Sequence, residues 1–130
     1  ILSFLTGHEV TRISFAFAKD AKLGDSERAS RLDRIRHELS SATADRRLMT
    51  TRTVLVSTPG LTPNHAYALL DYDEKADTVR LWNPHGGEFK PKGETGPDHG
   101  YPTKDGIFRM PVSDWVSQFS SVSLEQAPPR

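Results

Sequence analysis

The sequence predicts an α+β fold, in which a few helices pack on an antiparallel sheet. Three observations lead to this prediction: one clearly amphipathic helical stretch, several short β-rich runs after it, and a polar turn that joins two of these runs as a hairpin. A chain of 130 residues is long enough for one core but leaves little room for a second. We therefore expect a single domain over residues 1–126, followed by a tail at residues 127–130.

The first half of the chain predicts helices. Residues 1–5 are apolar and read as the end of a helix closed by Gly7, and residues 9–18 are a strand or an irregular stretch. The strongest helical pattern covers residues 26–45, with Asp25 or Ser26 as its N-cap. Its apolar residues recur every three or four positions and form one stripe: Ala29, Leu32, Ile35, Leu39 and Ala42.

The second half predicts strands at residues 52–58, 65–71 and 78–83, the last two joined by the polar turn at residues 73–77. Residues 84–106 hold six of the nine glycines and four of the nine prolines, which is typical of a long functional or disordered loop. The remaining elements are a strand at 107–111, a short helix from Ser113 to Phe119 with Ser113 as its cap, and a strand at 121–125.

Composition excludes several classes of protein. The 17 basic and 17 acidic residues balance, which argues against a nucleic-acid binder or a protein that binds anionic membranes. Without cysteine the chain has no disulfide, no thiolate metal site and no thiol nucleophile of its own. No signal peptide and no apolar run long enough to span a bilayer is visible, which favours an intracellular protein. Because the chain begins at Ile1, we expect it to be a processed or excised part of something longer.

The predicted hairpin brings His65 and Asn83 together. If its turn centres on Glu74, the two residues lie directly opposite each other, with Cβ atoms about 4.5–5.5 Å apart. A register shift of two positions would still keep both side chains on one face. The Asn83 amide oxygen could then accept a hydrogen bond from the ring, fix its tautomer and aim the other ring nitrogen outward, as in the base and orienter of a nucleophilic triad. A purely structural histidine beside a turn asparagine remains the alternative.

The residues around this pair resemble the second half of calpain-like cysteine peptidases, in which the histidine opens a "GHAY" strand and the asparagine lies in "NPWG". The matching blocks, in chain order, are Leu5-Thr6-Gly7, Gly60-Leu-x-Pro-x-His65-Ala-Tyr, Leu81-Trp-Asn83-Pro84-x-Gly86, and Asp105-Gly-Ile-Phe-Arg-Met110 followed by Ser113-Asp-Trp and Phe119. They span nearly the whole chain. The resemblance implies the β-rich subdomain of the papain-like fold, with His65 as general base and Asn83 as its orienter.

The chain also departs from the calpain pattern. Such enzymes carry the nucleophilic cysteine and an oxyanion-hole glutamine in a preceding helical subdomain, which these residues do not include. The tryptophan of "NPWG" is His85 here, and the glycine before the histidine is Asn64. Trp82 stands one position before Asn83, so strand alternation puts it on the opposite face.

Two functions follow as expectations. In the first, the chain is part of a cysteine endopeptidase: it supplies His65 and Asn83 to a partner subdomain or chain that carries the cysteine, and a protein or peptide substrate lies between the halves. Alone, the chain would then be inactive. In the second, the chain is a non-catalytic calpain-like module for protein interaction or regulation. Neither function involves nucleic acid or a membrane.

The residues themselves predict no metal ligand and no cofactor. Calcium enters only through the resemblance, because calpains bind calcium in this subdomain. The acids in the corresponding loop are Glu88, Glu94, Asp98 and Asp105, too scattered to form a recognisable site, and Ile107 stands where the family usually has glutamate. The spacing of His65, His85 and His99 matches no zinc motif.

Overall fold

The computed structural model describes residues 10–126, and within this range the chain forms six strands and two α-helices. The strands are β1 (Val10–Ser14), β2 (Met49–Arg52), β3 (Ala66–Asp73), β4 (Thr78–Trp82), β5 (Ile107–Pro111) and β6 (Ser121–Glu125). The helices are α1 (Asp25–Ala44) and α2 (Val112–Gln118), and a 3-10 turn covers Ala16–Lys19. The α+β class is confirmed, whereas the predicted helix end at residues 1–7 and the tail at 127–130 lie outside the described residues.

All six strands belong to one antiparallel sheet with the order β1-β6-β2-β3-β4-β5. The helices share one face of the sheet with the buried aromatic residues, including Phe15, Tyr67 and Trp115, in a single apolar cluster. A row of paired residues crosses the other face, namely Arg12, Ser123, Thr50, Ala68, Trp82 and Ile107. No helix within residues 10–126 is long and apolar enough to cross a bilayer.

Helix α1 follows its predicted stripe only in its second half. Ile35, Leu39 and Ala42 are buried and Leu32 packs at the edge of the core, but Ala29 is exposed, contrary to prediction. The first half of the helix borders an open groove beside β1 instead of lying on the sheet. Periodicity identifies the apolar side of a helix, but it does not tell where the underlying surface ends.

The predicted N-caps are wrong for both helices, namely Asp25 or Ser26 for α1 and Ser113 for α2. The N-cap of α1 is Gly24, which provides no side-chain hydrogen bond, and Asp25 is already helical. Asp25 and Glu27 still stabilise this end, because negative charge in the first turn favours the helix dipole. Helix α2 begins at Val112, directly after β5, and the Val112 N–H donates to the Asp77 carbonyl rather than to a cap.

The predicted strand at residues 52–58 is also wrong, since the regular strand covers Met49–Arg52. Beyond it, Thr53 still pairs through its backbone with His65, and the chain then turns away from the sheet. The Thr58 hydroxyl donates to the Gln118 side chain at 2.7 Å, and Pro59-Gly60 turns the chain back. Thr53 and Thr58 therefore make tertiary hydrogen bonds through their hydroxyl groups instead of belonging to a regular strand.

The β3–β4 hairpin forms as predicted but contains a β-bulge. Near the turn, Asp71 lies opposite Arg80, whereas farther away Leu69 lies opposite Leu81, so that Leu70 is the extra residue. The burial pattern shifts accordingly, because Leu69 and Tyr72 are buried while Leu70 is exposed. At the end of the hairpin far from the turn, the bulge therefore changes which side chains of β3 lie on the same face as given side chains of β4.

A charged cluster ties α1 to this hairpin. The Arg36 guanidinium donates two hydrogen bonds to the Asp77 carboxylate, at 3.0 and 2.9 Å, and the Tyr72 hydroxyl donates a third at 2.6 Å. Burial acts to raise the pKa of Asp77, but the hydrogen bonds from Arg36 and Tyr72 outweigh it and leave that pKa below its usual range. Burial, followed by the bond to Asp77, raises the pKa of Tyr72 to about 12.

Truncation along α1 should reproduce this uneven burial. Ile35→Ala should lower the free energy of unfolding by about 2–5 kcal/mol, because Ile35 lies in the core. Leu32→Ala should cost less, and the exposed Ala29→Ser should stay within about 0.5 kcal/mol of the parent. Urea unfolding followed by circular dichroism measures all three, and equal losses at positions 32 and 35 would contradict their different burial.

Asp77→Asn should destabilise the fold by about 0.5–1 kcal/mol near neutral pH, since its side chain is 41% exposed and solvent weakens the ion pair. Asparagine tolerates the positive φ of 56° at this position. Because the pKa of Asp77 is lowered in the folded state, its contribution is present above the unfolded pKa and is lost as pH falls through the folded one. The difference between parent and variant should therefore shrink below about pH 4. Urea unfolding across pH measures it, with Asp33→Asn as the milder control, and a difference that grows on acidification would contradict this assignment.

Candidate functional site

His65 and Asn83 meet at one end of the sheet. His65 lies immediately before β3 and Asn83 immediately after β4, and both are partly buried. The His65 Nε2 atom is 3.1 Å from the Asn83 Oδ1 atom. The predicted contact is therefore confirmed, but the predicted register is wrong. Continuing from Ala68 opposite Trp82 puts Asn83 opposite Tyr67, so that His65 approaches Asn83 diagonally.

A second hydrogen bond defines the direction of this contact. The backbone N–H of His85 donates to the same Asn83 Oδ1 atom at 3.0 Å. Because an N–H group can only donate, the side-chain atom it meets must be the amide oxygen. His65 Nε2 must then carry the hydrogen, which leaves the lone pair of a neutral ring on Nδ1. The side chain of Asn83 thus holds His65 as the Nε2–H tautomer.

The backbone of His65 is held by Thr53, a fully buried residue that the sequence did not single out. The His65 N–H donates to the Thr53 hydroxyl at 3.0 Å, and the Thr53 N–H donates to the His65 carbonyl at 2.9 Å. The same hydroxyl donates to the Thr62 carbonyl at 2.6 Å, so that all its partners are backbone groups. These bonds fix the position from which the imidazole projects.

Asn64 explains one departure from the calpain pattern. Its φ is 51°, in the left-handed region that glycine adopts freely and asparagine adopts more readily than most other residues. The Asn64 N–H donates to the Val54 carbonyl, and its side-chain oxygen accepts a hydrogen bond from Arg52 at 3.1 Å. Asparagine therefore makes the turn into His65 for which glycine would otherwise be suited.

The backbone of Asn83 is held by glycines. Its N–H donates to the Gly106 carbonyl, and its carbonyl accepts from the Gly86 N–H, both at 2.8 Å. Gly106 has a φ of 81°, and a Cβ atom there would lie 2.5 Å from the Asn83 carbonyl oxygen. A side chain at Gly106 would thus displace the backbone that carries the amide.

Two further rings surround His65. The Tyr67 ring meets it edge to face, with centroids 5.0 Å apart, and the Tyr67 hydroxyl accepts a hydrogen bond from the Thr62 N–H. The His85 ring lies 5.3 Å away at an angle of 33°. A ring therefore remains beside the pair although His85 replaces the tryptophan of the calpain motif.

The loop at residues 84–106 is joined to the rest of the structure at several points. Phe89 pairs with Thr103 through two backbone hydrogen bonds, and its ring packs against Gly60 and Gly100. The Tyr101 hydroxyl donates to Asp114 of α2 at 2.8 Å. Burial, followed by this bond, raises the pKa of Tyr101 well above its usual value. These contacts connect the loop to Gly60, which precedes His65 in the chain, and to helix α2.

The acids considered for calcium do not converge. Glu88 accepts a hydrogen bond from the backbone N–H of Asp105 at 3.2 Å. Across residues 10–126, no group of three or more His, Cys, Asp or Glu residues is positioned to hold a metal ion. His99, one of the histidines compared with zinc motifs, lies against Gly93. Calcium ligation by the loop acids therefore gains no support from the structure.

Exposed apolar groups lie close to the pair. Val54 and Leu55 follow Thr53, and Leu55 is 89% exposed. The hydrogen bond from the Asn64 N–H to the Val54 carbonyl keeps this segment beside the chain that enters His65. Trp82 is exposed on the opposite face of the sheet, as alternation predicted. The surface around His65 is therefore partly apolar.

Sequence patterns identified the two polar side chains but missed the residues that support them. Alternation could have indicated Tyr67, which lies two positions after His65 and so shares its face. No local signal distinguishes Thr53 from its neighbouring threonines, because its role depends on hydrogen bonds of its hydroxyl group to the backbone of Thr62 and His65, which lie further along the chain.

No protein-family model matches the chain, and no curated protein matches it with significant similarity. The likeness to calpain-like peptidases therefore remains a resemblance of motifs.

The tautomer of His65 can be tested in the isolated chain. At about pH 8, where a histidine ring is ordinarily neutral, long-range ¹H–¹⁵N spectra should show His65 protonated at Nε2. Asn83→Ala should remove the fixed acceptor and let the other tautomer become populated. His37, exposed on α1, should not change and provides the control. A predominant Nδ1–H form in the parent chain would contradict donation from His65 Nε2 to Asn83.

Proposed function

We propose that the chain is the histidine- and asparagine-bearing subdomain of a calpain-like cysteine endopeptidase with a papain-like fold. The observation that carries the proposal is the 3.1 Å contact of His65 Nε2 with Asn83 Oδ1, which leaves Nδ1 for a reacting group. In this role His65 is the general base and acid, Asn83 orients it, and a partner subdomain or chain provides the thiol.

The chemistry follows from the free nitrogen. His65 Nδ1 takes the proton of the partner's thiol, and the resulting thiolate is stabilised by the imidazolium. The sulfur attacks the peptide carbonyl carbon. As the C–N bond breaks, the Nδ1 proton passes to the leaving amine and a thioester remains. His65 then accepts a proton from the water that hydrolyses this thioester, and the thiol is regenerated.

Two departures from the calpain pattern are compatible with this role. Asn64 adopts a positive φ that glycine favours, so the approach to His65 does not require glycine. The His85 ring lies beside the imidazole at 5.3 Å, where the motif has an indole. Neither substitution interferes with the contact between His65 and Asn83.

The partly apolar surface near His65 supports a docking partner. Val54 and Leu55 are adjacent and both exposed, and an interface between subdomains would bury them. The Val54–Leu55 segment runs beside Asn64, so a partner seated on it would also approach the catalytic pair.

A non-catalytic interaction module is the second candidate, and the absence of cysteine from all 130 residues favours it. This alternative gives no reason for Asn83, itself oriented by the His85 N–H, to hold the His65 ring in one tautomer. It predicts that a bound partner leaves the assembly without peptidase activity.

The catalytic proposal predicts no peptidase activity for the chain alone, because it has a base and an orienter but no nucleophile. Combined with a cysteine-bearing helical subdomain, from the same gene or a separate chain, it should cleave peptides in a reaction that thiol-blocking reagents stop. His65→Ala should reduce kcat/KM of that assembly by about 10³-fold or more, and Asn83→Ala should cost less, since it removes orientation only.

His37→Ala is the matched control, since it removes an exposed histidine from α1 and should leave the rate unchanged. Complex formation is measured separately by sedimentation. An assembly that forms but cleaves at the parent rate with His65→Ala would exclude the catalytic role, and one that forms without any activity would favour the interaction module.

A further inference from the structure

A groove runs along the edge of the sheet opposite to β5, between β1 and the first half of α1. Its volume is about 810 Å³, and its apolar floor consists of Ile13, Phe17 and Ile35. It is separated from β3, the strand that follows His65, by β6 and β2, which corresponds to roughly 14 Å. We call it the β1–α1 groove. The inference drawn from it does not depend on the proposed peptidase function.

Strand β1 borders this groove with an unpaired edge. Among residues 10–126, β1 pairs with β6 alone, so that alternate N–H and C=O groups on its other side have no strand partner. The opposite sheet edge, β5, ends in Pro111, a residue that discourages strand addition. Strand β1 contains no proline, and all four residues from Thr11 to Ser14 line the groove.

The charged groups of the groove leave positive charge available. Three arginines and two glutamates line it, and Arg31 is paired with Glu27 at 3.0 Å. Arg12 on the strand and Arg34 on the helix have no carboxylate partner among the described residues, which leaves Glu38 as the remaining acid. A bound segment therefore meets an apolar floor and an excess of guanidinium groups.

We propose that the β1–α1 groove binds an extended segment of a partner protein in which apolar and acidic residues alternate. The segment adds a strand alongside β1 and pairs with the backbone groups that no described strand contacts. Because side chains alternate along a strand, one set packs on Ile13 and Ile35 on the helix side of the sheet, while the other carries acids toward Arg12 on the opposite side.

Charge also favours this occupant over a second copy of the chain. In a symmetric antiparallel pairing of two β1 strands centred on Arg12, the two Arg12 side chains lie directly opposite each other. Like charges in that position destabilise a strand pair. An acidic segment replaces this repulsion with attraction.

The probe is an acetylated and amidated hexapeptide of alternating valine and glutamate, titrated into the ¹⁵N-labelled chain. We expect saturable shifts confined to residues 11–14 and 27–38, together with slower amide exchange in β1. N-methylation of the peptide amides that face β1 should abolish binding, whereas methylation of the alternate set should not. Shifts elsewhere, no saturation at millimolar peptide, or indifference to methylation would overturn the proposal.

Charge reversal provides the matched test. Arg12→Glu should weaken binding of the acidic peptide at least about tenfold, and a valine–lysine peptide should bind this variant better than it binds the parent. Lys92→Glu, an exposed residue outside the groove, makes the same change of charge per site and should have no effect. Sedimentation equilibrium without peptide should show a monomer. A dimer that Arg12→Ala strengthens, by removing the like charges, would assign the edge to a second copy and overturn the proposal.

Discussion

One extra residue in β3 determines which side chains meet at the end of the sheet. Leu70 shifts the pairing of β3 with β4, so that Leu69 and Tyr72, rather than residues two apart, occupy the covered face. Had the register beside the turn continued unchanged, His65 and Asn83 would point to opposite faces, because side chains alternate along each strand. The hydrogen bond between them, and every chemical role inferred from it, depends on this bulge. Bulges are common beside functional sites for the same reason: they redirect a side chain without interrupting the sheet.

Around that contact, the irregular segments provide most of the positioning. Thr53 holds the backbone before β3, and Gly86 and Gly106 hold the backbone after β4. Asn83 is fixed from two directions, since its side-chain oxygen meets both the ring of His65 and the backbone of His85. The result is a histidine whose one nitrogen is fully engaged within the chain and whose other nitrogen remains available. This arrangement exists without any second subunit, so association with a partner would not have to order the pair at the same time.

The extent to which the sequence predicted this structure differs from element to element. The contact of His65 with Asn83 was predicted although the register was wrong, because residues shifted by two positions still share a face. The bulge itself left no signal, since Leu69 and Leu70 are the same residue type and only burial distinguishes them. The strand at residues 52–58 was predicted from β-propensity, which tertiary hydrogen bonds overrode at Thr53 and Thr58. Ala29 was assigned to the core because a helical period continues past the point where the helix leaves the sheet.

The strand order has a consequence for how the chain folds. Strands β3, β4 and β5 are neighbours in sequence as well as in space, whereas β6, the last strand, fits between β1 and β2 from the other end of the described chain. Pairing β6 with β1 and β2 brings together parts of the chain that are far apart in sequence, and this carries an entropic cost before any strand pairing offsets it. We therefore expect the β3–β4–β5 meander to form early and the insertion of β6 to limit the folding rate. Before β6 inserts, the edges of β1 and β2 that it will cover are unpaired. The chain is then most prone to pair with strands of other molecules.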